Sequence, residues 1–312
     1  MHPALSVIFF TVLSGAGYGL FAITAVYNML DQSKPLESST VLLSCSIALA
    51  LITTGLISST FHLANPKNAW RAFSRVRTSW LAREGLLAVL FYPIAALYML
   101  TIWKNLGGYS WVVIVSVLSA LWSITTIFST GMIYACLKTI RQWHNALTPV
   151  NYILLGSMLG GIIFLLIVSL HQPLDKGLVV SSTYLIIAAA IAKVVYFFWI
   201  GAPAGPTINT ATSFTRSMVR LLDVGHTAGT FLTDEFGFQV ARLKLMTLRW
   251  LVLLFAFTVP ILVFWVTAEF ISESLIMTIA LVSALVGIFM ERWLFFAEAR
   301  HVVNLYHGSQ QC

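Results

Sequence analysis

Charge is scarce in this chain. Of 312 residues, 18 are Lys or Arg and 11 are Asp or Glu, 9% in all, and they gather in short clusters between long uncharged stretches. Cysteine is scarcer, at three. Cys45, Cys136 and Cys312 lie far apart with no CxxC or Cys/His spacing, which excludes a self-supplied iron–sulfur cluster or zinc site. They read as small buried hydrophobes or a free thiol. The seven histidines, His2, His62, His144, His171, His226, His301 and His307, all fall at segment ends or in connectors. A b-type haem inside a helical bundle needs two facing axial ligands, and no pair here sits in mid-span, so neither haem nor metal is expected on this chain. Phosphate loops, nucleophile elbows and paired-carboxylate sites are also missing.

What is present is apolar: 59% of the residues are hydrophobic. Uncharged runs of about twenty residues are long enough to cross a bilayer. In hydrocarbon every backbone N–H and C=O must be satisfied internally, and runs rich in Leu, Ile and Ala do that as helices, not as barrel strands. The fold class is therefore all-α: a polytopic membrane protein with an eight-transmembrane-helix bundle. The runs cover residues 4–30, 41–61, 81–103, 111–137, 150–170, 178–200, 246–269 and 271–296. The last two are nearly continuous and are divided at "AEFISESL", because Glu269 and Glu273 do not belong in lipid. A single integral membrane domain over 1–312 is the simplest organisation. The first run lacks a basic n-region and a small-residue cleavage site, so it reads as a retained helix and not a signal peptide.

With eight spans, the even-numbered connectors share a side with both termini. That side holds Lys67, Arg71, Arg75, Arg77, Arg83, Lys138, Arg141, Arg216, Arg220, Arg242, Lys244, Arg249, Arg292 and Arg300, while the odd connectors hold only Lys34, Lys104 and Lys176. The positive-inside rule then predicts cytoplasmic termini. A surface that docks an acidic partner would be basic for another reason. The net charge of +7 sits beside the bilayer, where anionic lipid or a partner is the nearer explanation than nucleic acid.

Transport chemistry calls for ionisable or helix-breaking residues near mid-span. Lys193 is the one strong candidate, and eight residues from Gly201 its long side chain is expected to snorkel to the basic surface. Pro93 and Pro260 are expected to kink the third and seventh helices.

Five of the basic residues fall in one stretch, "FHLANPKNAWRAFSRVRTSWLAREG", residues 61–85. His62 closes the second helix and Glu84 opens the third, so the hairpin brings both to one membrane interface. An interfacial His/Glu pair beside apolar walls suits quinone chemistry, whose oxygens need hydrogen-bond donors and whose two-electron turnover moves two protons. The same residues also suit plain helix-end roles: a histidine near terminal carbonyls and a glutamate near a positive helix start. The residues alone leave both readings open.

Read as His-Leu-x-x-Pro, an Ala-aromatic pair, Arg-Val and Ser-x-Leu-x-x-Glu, this stretch resembles the hairpin of the dimethyl sulfoxide reductase membrane-anchor family. The likeness extends to "SGAGYGL", "VRLLDVGHTAGTFLTDEFGFQVAR" and "ERWLFFAEA". The resemblance implies an eight-helix quinone-reactive anchor for a molybdopterin catalytic subunit and an iron–sulfur electron-transfer subunit, with ubiquinone or menaquinone as its redox partner. By that similarity His62 and Glu84 match the quinol-binding positions, and Arg75 matches a basic position of the motif. Arg71 stands in for the Arg that some members carry where this chain has Asn68. The long sixth connector resembles that of the sulfite dehydrogenase branch, which implies a bacterial-type inner (cytoplasmic) membrane, catalytic subunits on the cytoplasmic side, and sulfite oxidation to quinone. A reductase oxidising quinol would use the same kind of site. A secondary transporter built on Lys193 is the alternative from another class.

Such an anchor needs soluble partners. Trp70, Phe73, Arg77 and Trp80, with Arg71 and Arg75, are residue types that dominate protein interfaces. The connectors 62–80 and 201–245 are therefore expected to face the partner, the first also roofing the quinone site. In the second, Phe214, Met218 and Leu221 follow helical spacing and predict a short interfacial helix. Asp223, Asp234 and Glu235 favour a partner over anionic lipid.

Overall fold

A computed structural model of the protein describes residues 2–30, 36–63, 65–201, 205–214, 216–223, 228, 230, 236–237, 241–265 and 272–312. Among the described residues, eight helical segments are long and apolar enough to cross a membrane. The first six are α1 (Leu5–Leu30), α2 (Ser38–Thr60), α3 (Trp80–Lys104), α4 (Tyr109–Ala135), α5 (Leu147–His171) and α6 (Lys176–Gly201). After the short α7 (Ile208–Thr212), the seventh span combines α8 (Arg242–Val252), a π-helical turn (Leu253–Thr258) and α9 (Val259–Phe264). The eighth is α10 (Glu273–Ala297). Two 3₁₀ helices, Pro66–Arg75 and Val302–His307, lie outside the spans.

The eight expected spans are all present, with ends shifted. The seventh stops at Phe264, ahead of 269, and the eighth starts at Glu273, where the Ser272 hydroxyl accepts from the Leu275 N–H and caps the helix. Glu273 thus lies in a first helical turn and reaches back to accept the Leu174 N–H at 2.9 Å. Glu269, Lys34, His226, Asp234 and Glu235 lie outside the described residues. Pro93 is carried inside an uninterrupted α3, whereas Pro260 follows directly on the π-turn, which absorbs the hydrogen bond its ring denies.

α1 and α5 form the centre. In lipid no hydrophobic force separates helix from solvent, so close backbone contact decides which helices pair. Gly15 and Gly19 of α1 face Gly156 and Gly160 of α5, and a Cβ at Gly19 would overlap the Gly156 backbone while one at Gly160 would overlap Gly19 and Leu20. The aromatic core beside this seam has Phe21, Phe91, Tyr18 and Tyr98 in edge-to-face contacts with centroids 5.0–5.5 Å apart.

The expected helix over Phe214–Leu221 is not there; the described residues of 216–223 are non-helical. The helix sits earlier, at Ile208–Thr212, where Thr207 and Thr210 form a capping box. Ser213 then turns left-handed at φ 64°. The Asn209 amide donates to the carbonyls of Phe214 (2.8 Å) and Ser217, holding the next residues in a turn that helical spacing alone could not foresee.

The C-terminal residues staple the connectors on the same side as the hairpin. Val302 N–H donates to Thr139 O at 3.1 Å, Ile208 N–H to Gln310 O at 3.1 Å, and Cys312 N–H to Pro206 O at 3.2 Å.

Candidate functional site

The 61–85 hairpin is a platform built on the start of α3. Its 3₁₀ helix exposes every residue wholly or in part, including Trp70, Arg71, Phe73 and Arg75. Phe73 leans over Gly85, and Trp80 packs edge-on against Phe128 of α4, 5.9 Å between centroids. The fastening residue is Arg83, to which sequence reasoning assigns no role. Its guanidinium donates to the carbonyls of Val76 (2.9 Å) and Arg77 (2.7 Å) and lies 4.3 Å from the Trp80 ring centroid. One side chain thereby closes the connector onto the first turn of α3.

Glu84 is buried, at 6% exposure, where the sequence alone places it only at the interface. The hydroxyl of Thr130, in the last turns of α4, donates to its carboxylate and also reaches the Thr126 carbonyl. The Tyr18 hydroxyl of α1 is buried nearby and completes no hydrogen bond of its own, its ring 5.0 Å from that of Phe91, two turns along α3 from Glu84. Neither Thr130 nor Tyr18 is legible in the sequence, because each meets Glu84 only through packing.

His62 stands apart from this carboxylate. It is exposed, and its Nδ1 hydrogen-bonds the Ser6 hydroxyl at 3.4 Å, in the first turn of α1. Crowding by the adjoining segments pushes its pKa below the ordinary histidine value. Ser58 anchors the same corner through a 2.9 Å bond to the Ser6 carbonyl. Among the described residues no hydrogen bond or ion pair joins His62 to Glu84. Arg71 and Arg75 do not reach either group; Arg71 packs 5.8 Å from the centroid of its neighbour Trp70. The structure therefore brings Glu84, Thr130 and Tyr18 together and leaves His62, Arg71 and Arg75 around the rim.

Lys193 does not snorkel. It is 0% exposed, and its ammonium forms an ion pair with Glu291 of α10. Glu291 in turn binds Arg292, whose guanidinium lies 4.2 Å from the Tyr152 ring centroid. The snorkelling expectation fails because a buried carboxylate 98 residues away offers the amine a partner inside the bundle. Arg249 and Glu298 add a 2.7 Å pair nearer the surface.

Among the described residues no group of three or more His, Cys, Asp or Glu could hold a metal ion. An apolar cavity of ≈ 680 Å³ lies among α1, α4 and α6, bordered by Tyr27, Leu30, Ile124, Asp175 and Leu178. It occupies the end of the bundle opposite Glu84.

Comparison with known proteins identifies the family. The sequence is 32% identical over 327 aligned positions, covering 99% of both proteins, to the C subunit of sulfite dehydrogenase from Allochromatium vinosum. It is 25% identical over 166 positions, 52% of this protein and 56% of the other, to the C component of the anaerobic dimethyl sulfoxide reductase of Escherichia coli K12. With the DMSO reductase anchor subunit (DmsC) family matching residues 1–297, the eight-span protein with its basic hairpin belongs to that family and is a multi-pass membrane anchor subunit.

Proposed function

We propose that this single membrane domain, residues 1–312, passes electrons between the iron–sulfur subunit of a molybdopterin oxidoreductase and the quinone pool, with Glu84 as its proton-exchanging group. The observation that carries the reading is the buried Glu84 carboxyl under an exposed basic, aromatic platform. A bound quinone supplies two-electron, two-proton redox chemistry. The residues fit such a group: Glu84 holds a proton at its carboxyl oxygens, Thr130 fixes one of them, and the unpaired Tyr18 hydroxyl beside it can donate to a ring oxygen. His62 supplies a further donor at the rim, within the exposed corner that Ser6 orients. Arg71 and Arg75 attract the partner and the headgroup region, and the apolar walls come from Trp80, Phe91 and Phe128.

Trp70, Phe73, Arg77 and Trp80 form the docking floor for the iron–sulfur subunit, whose terminal centre must come within electron-transfer reach of the hairpin. The relative named as a sulfite dehydrogenase subunit, alike along nearly its whole length, favours electron flow from sulfite to quinone. The distribution of basic residues supports cytoplasmic termini and cytoplasmic partners in a bacterial-type inner membrane.

The test uses membranes carrying the whole complex with native Glu84 or Glu84→Gln, fed with sulfite and, in parallel, probed with sulfoxide. Quinone-coupled turnover should collapse in the variant while turnover with a soluble artificial carrier survives. Equal quinone-coupled rates in both would remove Glu84 from the site.

A further inference from the structure

Four buried hydroxyls lie along one seam. Tyr18 of α1, Tyr98 of α3, and Ser116 and Ser119 of α4 are 3%, 0%, 1% and 0% exposed. Tyr18 and Ser119 complete no hydrogen bond, and Tyr98 and Ser116 face each other. An unpaired buried hydroxyl costs about 1–3 kcal/mol, so packing alone does not account for the group.

On α4 these serines belong to a longer line. Ser116, Ser119, Ser123, Thr126 and Thr130 recur at steps of three and four and are all buried. That spacing puts them on one helix face, a line about 21 Å long at 1.5 Å rise per residue. Thr130 ends the line on the Glu84 carboxylate. At the other end Ser116 lies against the Tyr98 hydroxyl, which also approaches Asn28 in the last turn of α1. Antiparallel packing requires this register: Glu84 opens α3 where Thr130 closes α4, and Tyr98 closes α3 where Ser116 opens α4. Ser123 and Thr126 donate to the helix carbonyls of Ser119 and Trp122, both at 2.9 Å, leaving their oxygens free to accept along the seam. Tyr18 packs beside this line, its ring 5.0 Å from that of Phe91, two turns along α3 from Glu84.

We propose that this seam is a proton path joining Glu84 to the membrane face opposite the hairpin, so that the protons used in quinone reduction are drawn from the odd-connector side. The proposal rests on the quinone reading of Glu84. For each quinone reduced, two electrons arrive from the partner's iron–sulfur centre and two protons are needed. Glu84 gives its carboxyl proton to a quinone oxygen. The carboxylate left behind recovers a proton from the seam, where each hydroxyl passes its own proton inward and takes one from its outer neighbour. Successive hydroxyls are one turn apart, a spacing that one water molecule can span, and the last proton is taken from bulk water beyond Asn28. Quinol oxidation runs the same transfers backwards.

The experiment places the complete complex in sealed liposomes with a short-chain ubiquinone in the bilayer and a pH-sensitive dye in the lumen. Only complexes with soluble subunits outward are fed, by an added donor that cannot cross the membrane. The lumen should turn alkaline as quinone is reduced. Ser119→Ala combined with Tyr98→Phe should slow quinone-coupled turnover about a hundredfold or more, within the range of a lost proton-transfer group, while turnover with a soluble artificial carrier stays unchanged. Ser119→Thr, which keeps the hydroxyl, should retain the native rate. A lumen pH that stays constant during native turnover overturns the path, as does a double variant running at the native rate. Glu84→Gln separates the two readings: if it abolishes quinone coupling while the seam variants do not, the path fails and the site stands; if it has no effect, the site itself fails.

Discussion

Lys193 of α6 and Glu291 of α10 form an ion pair whose side chains are 1% and 0% exposed, and Arg292 binds both oxygens of the same carboxylate. One negative charge therefore serves two positive ones within the bundle. Removing Glu291 leaves two unpaired buried cations, whereas removing Lys193 leaves a balanced pair. Glu291→Gln is expected to destabilise the anchor by about 3–5 kcal/mol and Lys193→Met by much less. Thermal unfolding of the detergent-solubilised complex measures both; equal losses would show that charge balance is not what the cluster supplies.

Thr130 is the hydrogen-bond partner of Glu84. Thr130→Val keeps the shape and removes the donor, so it should lower quinone-coupled turnover about ten- to 150-fold, the equivalent of a charged hydrogen bond of about 1.5–3 kcal/mol. Soluble-carrier turnover should hold constant. Thr130→Ser should restore the rate.

The contact of Gly19 with Gly156 leaves no room for a side chain. Gly19→Leu is expected to prevent α1 and α5 from pairing and to abolish accumulation of the subunit, as judged by immunoblot of membranes. Gly108, with open space around its Cα, is the control: Gly108→Ala should accumulate normally.

The C-terminal staple contains a pH-sensitive joint. His301 Nδ1 accepts the Val303 N–H at 3.0 Å, and the ring lies 4.7 Å from that of Phe236. Burial lowers the His301 pKa below its ordinary value. A depressed folded-state pKa means that the unfolded segment binds the proton more readily, so the contribution is complete above the ordinary histidine range and is lost as pH falls through the folded value. Hydrogen exchange over 302–312 should be slow at neutral pH and accelerate in acid, and His301→Ala should flatten that dependence.

The hairpin platform offers the last prediction. Arg75→Glu with Arg77→Glu should weaken co-purification of the iron–sulfur subunit, most at low ionic strength, because exposed charges steer association and salt screens them. Both side chains are exposed, so the eight-helix fold should survive; loss of the anchor itself from the membrane would contradict a surface role.

How much of this is legible in the sequence differs by scale. The eight spans can be read directly, since a run of about twenty apolar residues entering hydrocarbon must satisfy its own backbone and has no option but the helix. Glu84 and His62 can be singled out because charge is rare enough here for one carboxylate at a helix start to stand out. What Glu84 touches cannot: Thr130 lies 46 residues further along the sequence, and a threonine in an apolar helix carries no mark of its partner. Lys193 is misread for the same reason. Its distance to the helix end is visible, whereas Glu291 comes within reach only when α6 and α10 pack. In the bilayer the local pattern determines that a segment is a helix, and close packing alone decides which face of it meets which neighbour.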